Sequence, residues 1–194
     1  MSLEFILLSC AAYLLGSISF AVLLARLSRQ PDPRSFGSRN PGASNMLRLG
    51  KRWLAIATLL GDTGKGALVV WLAARLGFEP VQQAWVGLAA LAGHILPLYH
   101  RFHGGKGVAT AAGVLLVLSW PAAALTALVW VGVFALRATA SLASLAACVA
   151  LLPWTAWHSP ELQIPISLMA LVVVLRHRLN IGRLIAGNEN RFRF

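Results

Sequence analysis

The chain has 194 residues, 58% of them hydrophobic and only 12% charged, with a mean hydropathy of +0.71 and a formal net charge of +11. Soluble domains carry roughly 25% charged residues, so an ordinary soluble enzyme is excluded, and the apolar surplus must face lipid. So large a positive charge on a soluble protein would point to nucleic acid. Here the basic residues lie in short loops between apolar runs, with no nucleic-acid motif beside them, and are read as setting membrane orientation.

In chain order, Met1-Ser2-Leu3-Glu4 lacks the positive region of a cleavable signal peptide, and residues 5–25 are read as a retained first transmembrane helix. A polar, basic stretch covers 26–52. The second span, 53–76, is interrupted by Gly61-Asp62-Thr63-Gly64-Lys65-Gly66, and the third runs over 84–99. Beyond a glycine-rich loop, residues 108–136 are too long for one comfortable helix and carry Ser119-Trp120-Pro121 near the middle. The last spans are 140–157 and 164–175, followed by an arginine-rich tail.

Short-loop Lys and Arg belong on the cytoplasmic side. Placing Lys106 and Arg137 there turns 108–136 into a hairpin reversing near Pro121. The expectation is an all-α integral membrane protein of seven spans, some short, with the N-terminus outside and the C-terminus inside. All 17 Lys and Arg except Lys65 and Arg75 are then cytoplasmic, and Glu4, Glu79 and Glu161 are external. No internal repeat or low-complexity linker divides the chain, so 1–194 reads as a single membrane-embedded domain. The polar segments 32–48, 103–110 and 177–189 all fall on the cytoplasmic face. Cys10 and Cys148 lie in distant apolar runs and are expected to be small core residues rather than a disulfide or metal pair. No ligand cluster suggests a metal, and no cofactor is expected.

Four constellations carry polar chemistry. In residues 32–48, Gly37 and Gly42 permit tight turns, while Ser38, Asn40, Ser44 and Asn45 offer donors to an anion. Arg48 adds a planar fork suited to phosphate. The alternative is a turn-rich loop whose arginines meet lipid headgroups. The second constellation is the loop Phe102-His103-Gly104-Gly105-Lys106-Gly107-Val108-Ala109-Thr110. Its bare backbone N–H groups, one lysine and a helix beginning just beyond are how proteins hold phosphate. A P-loop is excluded, because Gly107 rather than a hydroxyl residue follows Lys106. A membrane turn with a snorkelling lysine is the alternative.

The third is Asp62 with Lys65, three residues apart inside an apolar span, either functional or mutually neutralising. His94, also within a span, reads by default as a hydrogen-bonded core histidine. The fourth is His177, Asn180 and Arg183, a polar stripe at helical spacing if the last helix continues through them. His177 could equally be an interfacial residue without a role. Glu189, the one acid in that tail, is read as tying the tail down rather than acting as a base.

Three motifs in this order, GSRNPGASNMLR, GHILPLYHRFHGGKGVAT and HRLNIGRLIAGNE, with the GD-x-x-KG piece at 61–66, resemble the PlsY family of bacterial acyl-phosphate:glycerol-3-phosphate acyltransferases. The resemblance covers essentially the whole chain. It implies a seven-helix enzyme of the bacterial inner membrane that makes lysophosphatidic acid from acyl phosphate and glycerol 3-phosphate. By the same resemblance Ser38 and Arg48 are essential, and Gly104, Gly105, Lys106, Gly107 and Thr110 hold phosphate. His177 and Asn180 complete the site, and Ser141 and Ser144 belong to its wall, although small residues that ease helix packing explain those two as well. The family commonly shows GSGN where this chain has Gly37-Ser38-Arg39-Asn40, and GATN where it has Gly42-Ala43-Ser44-Asn45.

Acyl phosphate is already activated, so the protein need chiefly position reactants and stabilise charge. None of the five histidines is followed five residues later by an acid, so the usual acyltransferase base pair is absent. A substrate phosphate oxygen is expected to take the proton, with His177 as the protein alternative. The expected partners are the two substrates and the bilayer, without nucleic acid or an obligate protein partner. A transporter of phosphate or organophosphate anions is the rival class, and a binder of anionic headgroups is a third. Polar motifs gathered on one face, without paired interruptions in matching halves, favour the enzyme.

Overall fold

The computed structural model describes residues 2–192, and among them every regular element is helical. The α-helices are α1 (Leu3–Gly16), α2 (Phe20–Leu27), α3 (Ala43–Leu47), α4 (Arg52–Arg75), α5 (Pro80–Ile95), α6 (Val108–Leu118), α7 (Trp120–Arg137), α8 (Ala140–His158), α9 (Gln163–Arg176) and α10 (Arg178–Ile185). They form two compact units, the first ending at Leu118 and the second beginning at Ser119.

Two spans differ from expectation. The first is not one helix: α1 and α2 meet at 44° across Ser17-Ile18-Ser19. Ser17 turns its hydroxyl onto the Tyr13 carbonyl (2.9 Å), and Ser19 caps α2 by accepting from Val22 N–H (3.4 Å). Serine side chains that compete for backbone groups end one helix and start the next. Conversely, the glycines and charges at 61–66 do not interrupt α4, which runs unbroken over 24 residues.

Among the described residues four helices are long and apolar enough to cross a membrane, or up to six when α1 with α2 and α9 with α10 each count as one bent span. The seventh expected span corresponds to α6, whose 11 residues reach only ~16 Å of a hydrocarbon core about 30 Å thick. The expected break in 108–136 falls at Ser119, and Pro121 sits in the first turn of α7, where its missing N–H costs nothing.

The first unit is held by close helix crossings built on small residues. A Cβ on Gly16 would strike the Ala90 carbonyl, and one on Gly93 would strike that of Tyr13, so α1 and α5 meet backbone to backbone. The same holds for α4 and α6, through Gly66 against Thr110 and Gly113 against Thr63. In lipid, where burying apolar surface gains nothing between helices, such close packing is what holds spans together. In the second unit α7 packs on α8, α8 on α9, and α9 on α10. Cys148 is half-buried and Cys10 is exposed on α1, so Cys10 is not the core residue expected.

Candidate active site

In the first unit, the segment between α2 and α3 is organised around Asn45. This side chain, 1% exposed, accepts from Ser38 N–H (2.9 Å) and donates to the carbonyls of Pro33 (2.7 Å) and Phe36 (3.2 Å). Both amide protons are therefore used on the protein's own backbone, and Asn45 shapes the loop rather than presenting donors to an anion. Gly37, at φ +56°, passes so close to Asn45 that a Cβ there would overlap its Oδ1, with Arg48 Cδ 3.4 Å from the same point. Ser38, Asn45 and Arg48 are thus neighbours, with Arg48 at the C-terminus of α3.

Arg39 adopts a left-handed backbone at φ +56°, the region in which glycine is unstrained and other residues are uncommon. This gives a physical reason for a glycine at that place in related sequences. Asn40 and Gly42 lie on the turn into α3, where Gly42 N–H donates to the Asn40 carbonyl (3.0 Å). Asp32 grips Arg34 through Nε (3.0 Å) and Nη2 (2.6 Å). Those hydrogen bonds hold the Asp32 carboxyl below its ordinary value despite partial burial.

The glycine loop is moulded on the end of α5. Gly105 N–H donates to the His94 carbonyl (3.1 Å), and a Cβ on Gly105 would land on the His94 imidazole. A Cβ on Gly104 would strike the His94 and Ile95 carbonyls, and one on Gly107 (φ +86°) would strike Leu91. Lys106 is half-buried between these glycines, and the Gly107 carbonyl accepts from Ala111 N–H (2.8 Å) as α6 begins. Thr110 is fully buried in the first turn, with no hydrogen-bond partner for Oγ1.

Beneath the loop, Lys65 Nζ has three partners: Asp62 Oδ1 (2.8 Å), the Ile18 carbonyl at the α1–α2 break (2.7 Å) and His94 Nδ1 (2.9 Å). All three side chains of this cluster are at most 7% exposed. The sequence showed Asp62 and Lys65 as a pair, but His94, 29 residues on, and Ile18 carry no local signal of joining them. Tyr13 and Ser17 were also missed: Tyr13 Oη donates to the Leu96 carbonyl (2.8 Å), and Ser17 Oγ accepts from Leu98 N–H (3.3 Å). Both fix the chain entering the loop from α1.

In the second unit the last helix does not run through His177 but bends there by 59° between α9 and α10. His177, 2% exposed, points Nδ1 at the Val173 carbonyl (2.8 Å). It is therefore anchored on α9, while Asn180 and Arg183 lie on α10. Glu189 gathers the neighbourhood, accepting from Asn180 Nδ2 (2.6 Å), Ser141 Oγ (3.0 Å) and Arg183 Nε (2.7 Å). Ser144, buried on α8, donates to the Ala140 carbonyl (2.8 Å) and accepts from Trp130 Nε1 (3.0 Å).

Partial burial acts to raise the Glu189 carboxyl, but the Asn180, Arg183 and Ser141 hydrogen bonds outweigh it and leave the group below its ordinary 4.5. A carboxylate depressed on folding contributes stability that is complete above its unfolded value and is lost as pH falls through the lower folded one. Limited proteolysis of residues 187–192 is accordingly expected to be slow at pH 7 and to accelerate below pH 4.5. Glu189→Gln should already be cut quickly at pH 7, and equal rates for the two proteins would refute the tie.

Comparison with known proteins supplies what geometry alone does not. The family model for glycerol-3-phosphate acyltransferase matches residues 6–187. Curated glycerol-3-phosphate acyltransferases are 55% identical in Pseudomonas entomophila (95% of this chain, 98% of the relative) and 54% identical in Azotobacter vinelandii (96% and 98%). Two crystal structures of PlsY (YgiH), an integral membrane glycerol 3-phosphate acyltransferase, are each 34% identical, covering 98% of this chain and 96% of theirs. The glycerol 3-phosphate form superposes with a TM-score of 0.92 and the lysophosphatidic acid form with 0.90. With near-complete coverage on both sides and ordered motifs throughout, this integral membrane chain belongs to the glycerol-3-phosphate acyltransferase (PlsY) family.

Proposed function

We propose that the chain transfers a fatty acyl group from acyl phosphate to the 1-hydroxyl of glycerol 3-phosphate, giving lysophosphatidic acid and inorganic phosphate. The coarser part follows from the family: the protein is an acyltransferase of glycerol 3-phosphate. One observation carries the reading: the neighbour's two crystal forms are those of glycerol 3-phosphate and of lysophosphatidic acid, an acceptor and its acylated product. The donor assignment is supported by the family motifs and by the absence of a histidine–acid pair at the usual acyltransferase spacing.

In the proposed reaction the glycerol 1-hydroxyl attacks the acyl carbonyl carbon. A carbon–oxygen ester bond forms, the bond from that carbon to the phosphate oxygen breaks, and inorganic phosphate leaves. The hydroxyl proton passes to a phosphate oxygen, so no dedicated protein base is required. Two anionic substrates repel each other, and fixed cations offset this. In the first unit Arg48 and Lys106, with Ser38 and the N–H groups of the glycine loop, are assigned to phosphate. Asn40, Gly42 and Thr110 are assigned to its surroundings.

In the second unit His177 and Asn180 are assigned to the reaction, and Ser141, Ser144 and Arg183 to substrate contact. His177 has Nδ1 on the Val173 carbonyl, which fixes the orientation of its ring at the end of α9. The proposal takes 1–194 as one acyltransferase domain with its chemistry on the cytoplasmic side of the inner membrane, without a cofactor or an obligate protein partner.

The test is lysophosphatidic acid formation by purified protein supplied with glycerol 3-phosphate and either acyl phosphate or acyl-CoA, with phosphate release followed when acyl phosphate is the donor. Lysophosphatidic acid is expected only with acyl phosphate, and phosphate release only when glycerol 3-phosphate is present, the two products in equal amount. Equal use of acyl-CoA, or phosphate release without acceptor, would overturn the donor assignment.

A further inference from the structure

We infer that Asp62, Lys65 and His94 are positioning residues: a buried cluster that fixes the path of the glycine loop and thereby the affinity for the phosphate held there. The inference rests on the proposed reading of that loop as a phosphate cradle. An ion pair inside an apolar helix is expensive to bury, and apolar residues of similar volume often serve stability as well or better. A cluster that merely braced α4 would need no histidine from another helix.

His94 links the cluster to the loop. Its Nδ1 lies against Lys65 Nζ, its carbonyl holds Gly105 N–H, and its ring fills the place where any side chain on Gly105 would be. Lys65 in turn reaches the Ile18 carbonyl at the break between α1 and α2, so the loop is referenced to three helices and not only to its own ends. A glycine-rich backbone has many accessible conformations. Holding it against a rigid ring narrows them before phosphate arrives, so less ordering remains to oppose binding.

Removing the ring therefore weakens phosphate binding without removing any group that touches phosphate. In wild-type protein and His94→Ala, calorimetry with inorganic phosphate and with glycerol 3-phosphate, no acyl donor present, is expected to show about tenfold weaker binding of at least one ligand in the variant. Steady-state assays with acyl phosphate should show the same rise in the corresponding KM, with kcat within about threefold. Gly105→Ala should weaken binding too. Because the atoms nearest its methyl are those of the ring, adding His94→Ala to it should cause no further loss. If His94→Ala is not recovered folded, His94→Asn keeps a polar atom near Lys65 but lacks the ring, and the same weakening is expected.

Folded variants that bind both ligands as tightly as wild type, or fully additive losses in the double variant, would overturn the inference. A fall in kcat with unchanged affinities would do so as well. A wild type that binds phosphate yet ignores acyl phosphate would instead overturn the donor assignment and leave the binding comparison standing. A wild type that binds neither ligand would overturn both.

Discussion

Lys106→Met is expected to lower kcat/KM by about 100-fold, a larger loss than any substitution beneath the loop. Lys106 lies half-buried among Gly104, Gly105 and Gly107, on a backbone whose other donors are neutral N–H groups. Truncating one partner of a hydrogen-bonded charge pair removed from water costs about 2–5 kcal/mol, and a hundredfold corresponds to ~2.7 kcal/mol at 1.36 kcal/mol per decade. Methionine keeps the length and apolar stem of lysine, so the helix packing around α6 should survive and thermal stability should change little. Lys106→Arg restores the charge but replaces a compact ammonium by a longer planar fork, and is expected to recover only part of the loss. Steady-state kinetics with each substrate varied in turn, alongside thermal unfolding in detergent, make the check. A Lys106→Met enzyme within threefold of wild type would remove the lysine from the proposed phosphate site.

Much of this molecule is legible in its sequence because lipid imposes simple rules. Apolar runs of spanning length, separated by basic loops, dictate a helical membrane protein. The breaks were harder. Residues 5–25 satisfy the length rule as a whole, yet Gly16-Ser17-Ile18-Ser19 divides them, since two serine side chains take over backbone hydrogen bonds. The glycines of α4 misled in the opposite direction. A glycine looks like an interruption until the neighbour that needs the space is known, here Phe20 against Gly61 and the Thr110 carbonyl against Gly66.

The same limit governs the polar groups. Asp62 with Lys65, and Asn180 with Arg183, could be placed on one helix face from spacing because helices repeat locally. His94 with Lys65 and Ser141 with Glu189 could not, because nothing in one segment reports which distant segment folds onto it. Asn45 shows a subtler case. Its residue type allowed either an anion donor or a loop organiser, and only its backbone partners decide in favour of the second.

Gly113→Val is expected to prevent assembly of the first unit. Gly113 lies on the face of α6 that crosses α4, where an added Cβ would run into the Thr63 carbonyl and stand 2.9 Å from Ala67 N. These are backbone atoms of a continuous helix and cannot swing aside as a side chain would. The reciprocal contact, Gly66 against the Thr110 carbonyl, makes the crossing tight on both sides, so sliding one helix along the other gives no relief. Overpacking ordinarily costs about 1–3 kcal/mol where side chains can repack, and the rigid partners here place this substitution at ~3 kcal/mol or more. That is a large part of the roughly 5–15 kcal/mol available to a native protein. The helix after the glycine loop would be pushed off α4, so phosphate binding should be lost along with thermal stability. Gly132→Ala is the matched control: that position on α7 has nothing within 4 Å of an added Cβ, and alanine in a helix interior is favoured over glycine by up to about 1 kcal/mol. Size-exclusion recovery and thermal unfolding should therefore separate the pair, with Gly132→Ala at or above wild type and Gly113→Val aggregated. A well-folded, active Gly113→Val protein would show that α4 and α6 do not meet as closely as their backbones are placed.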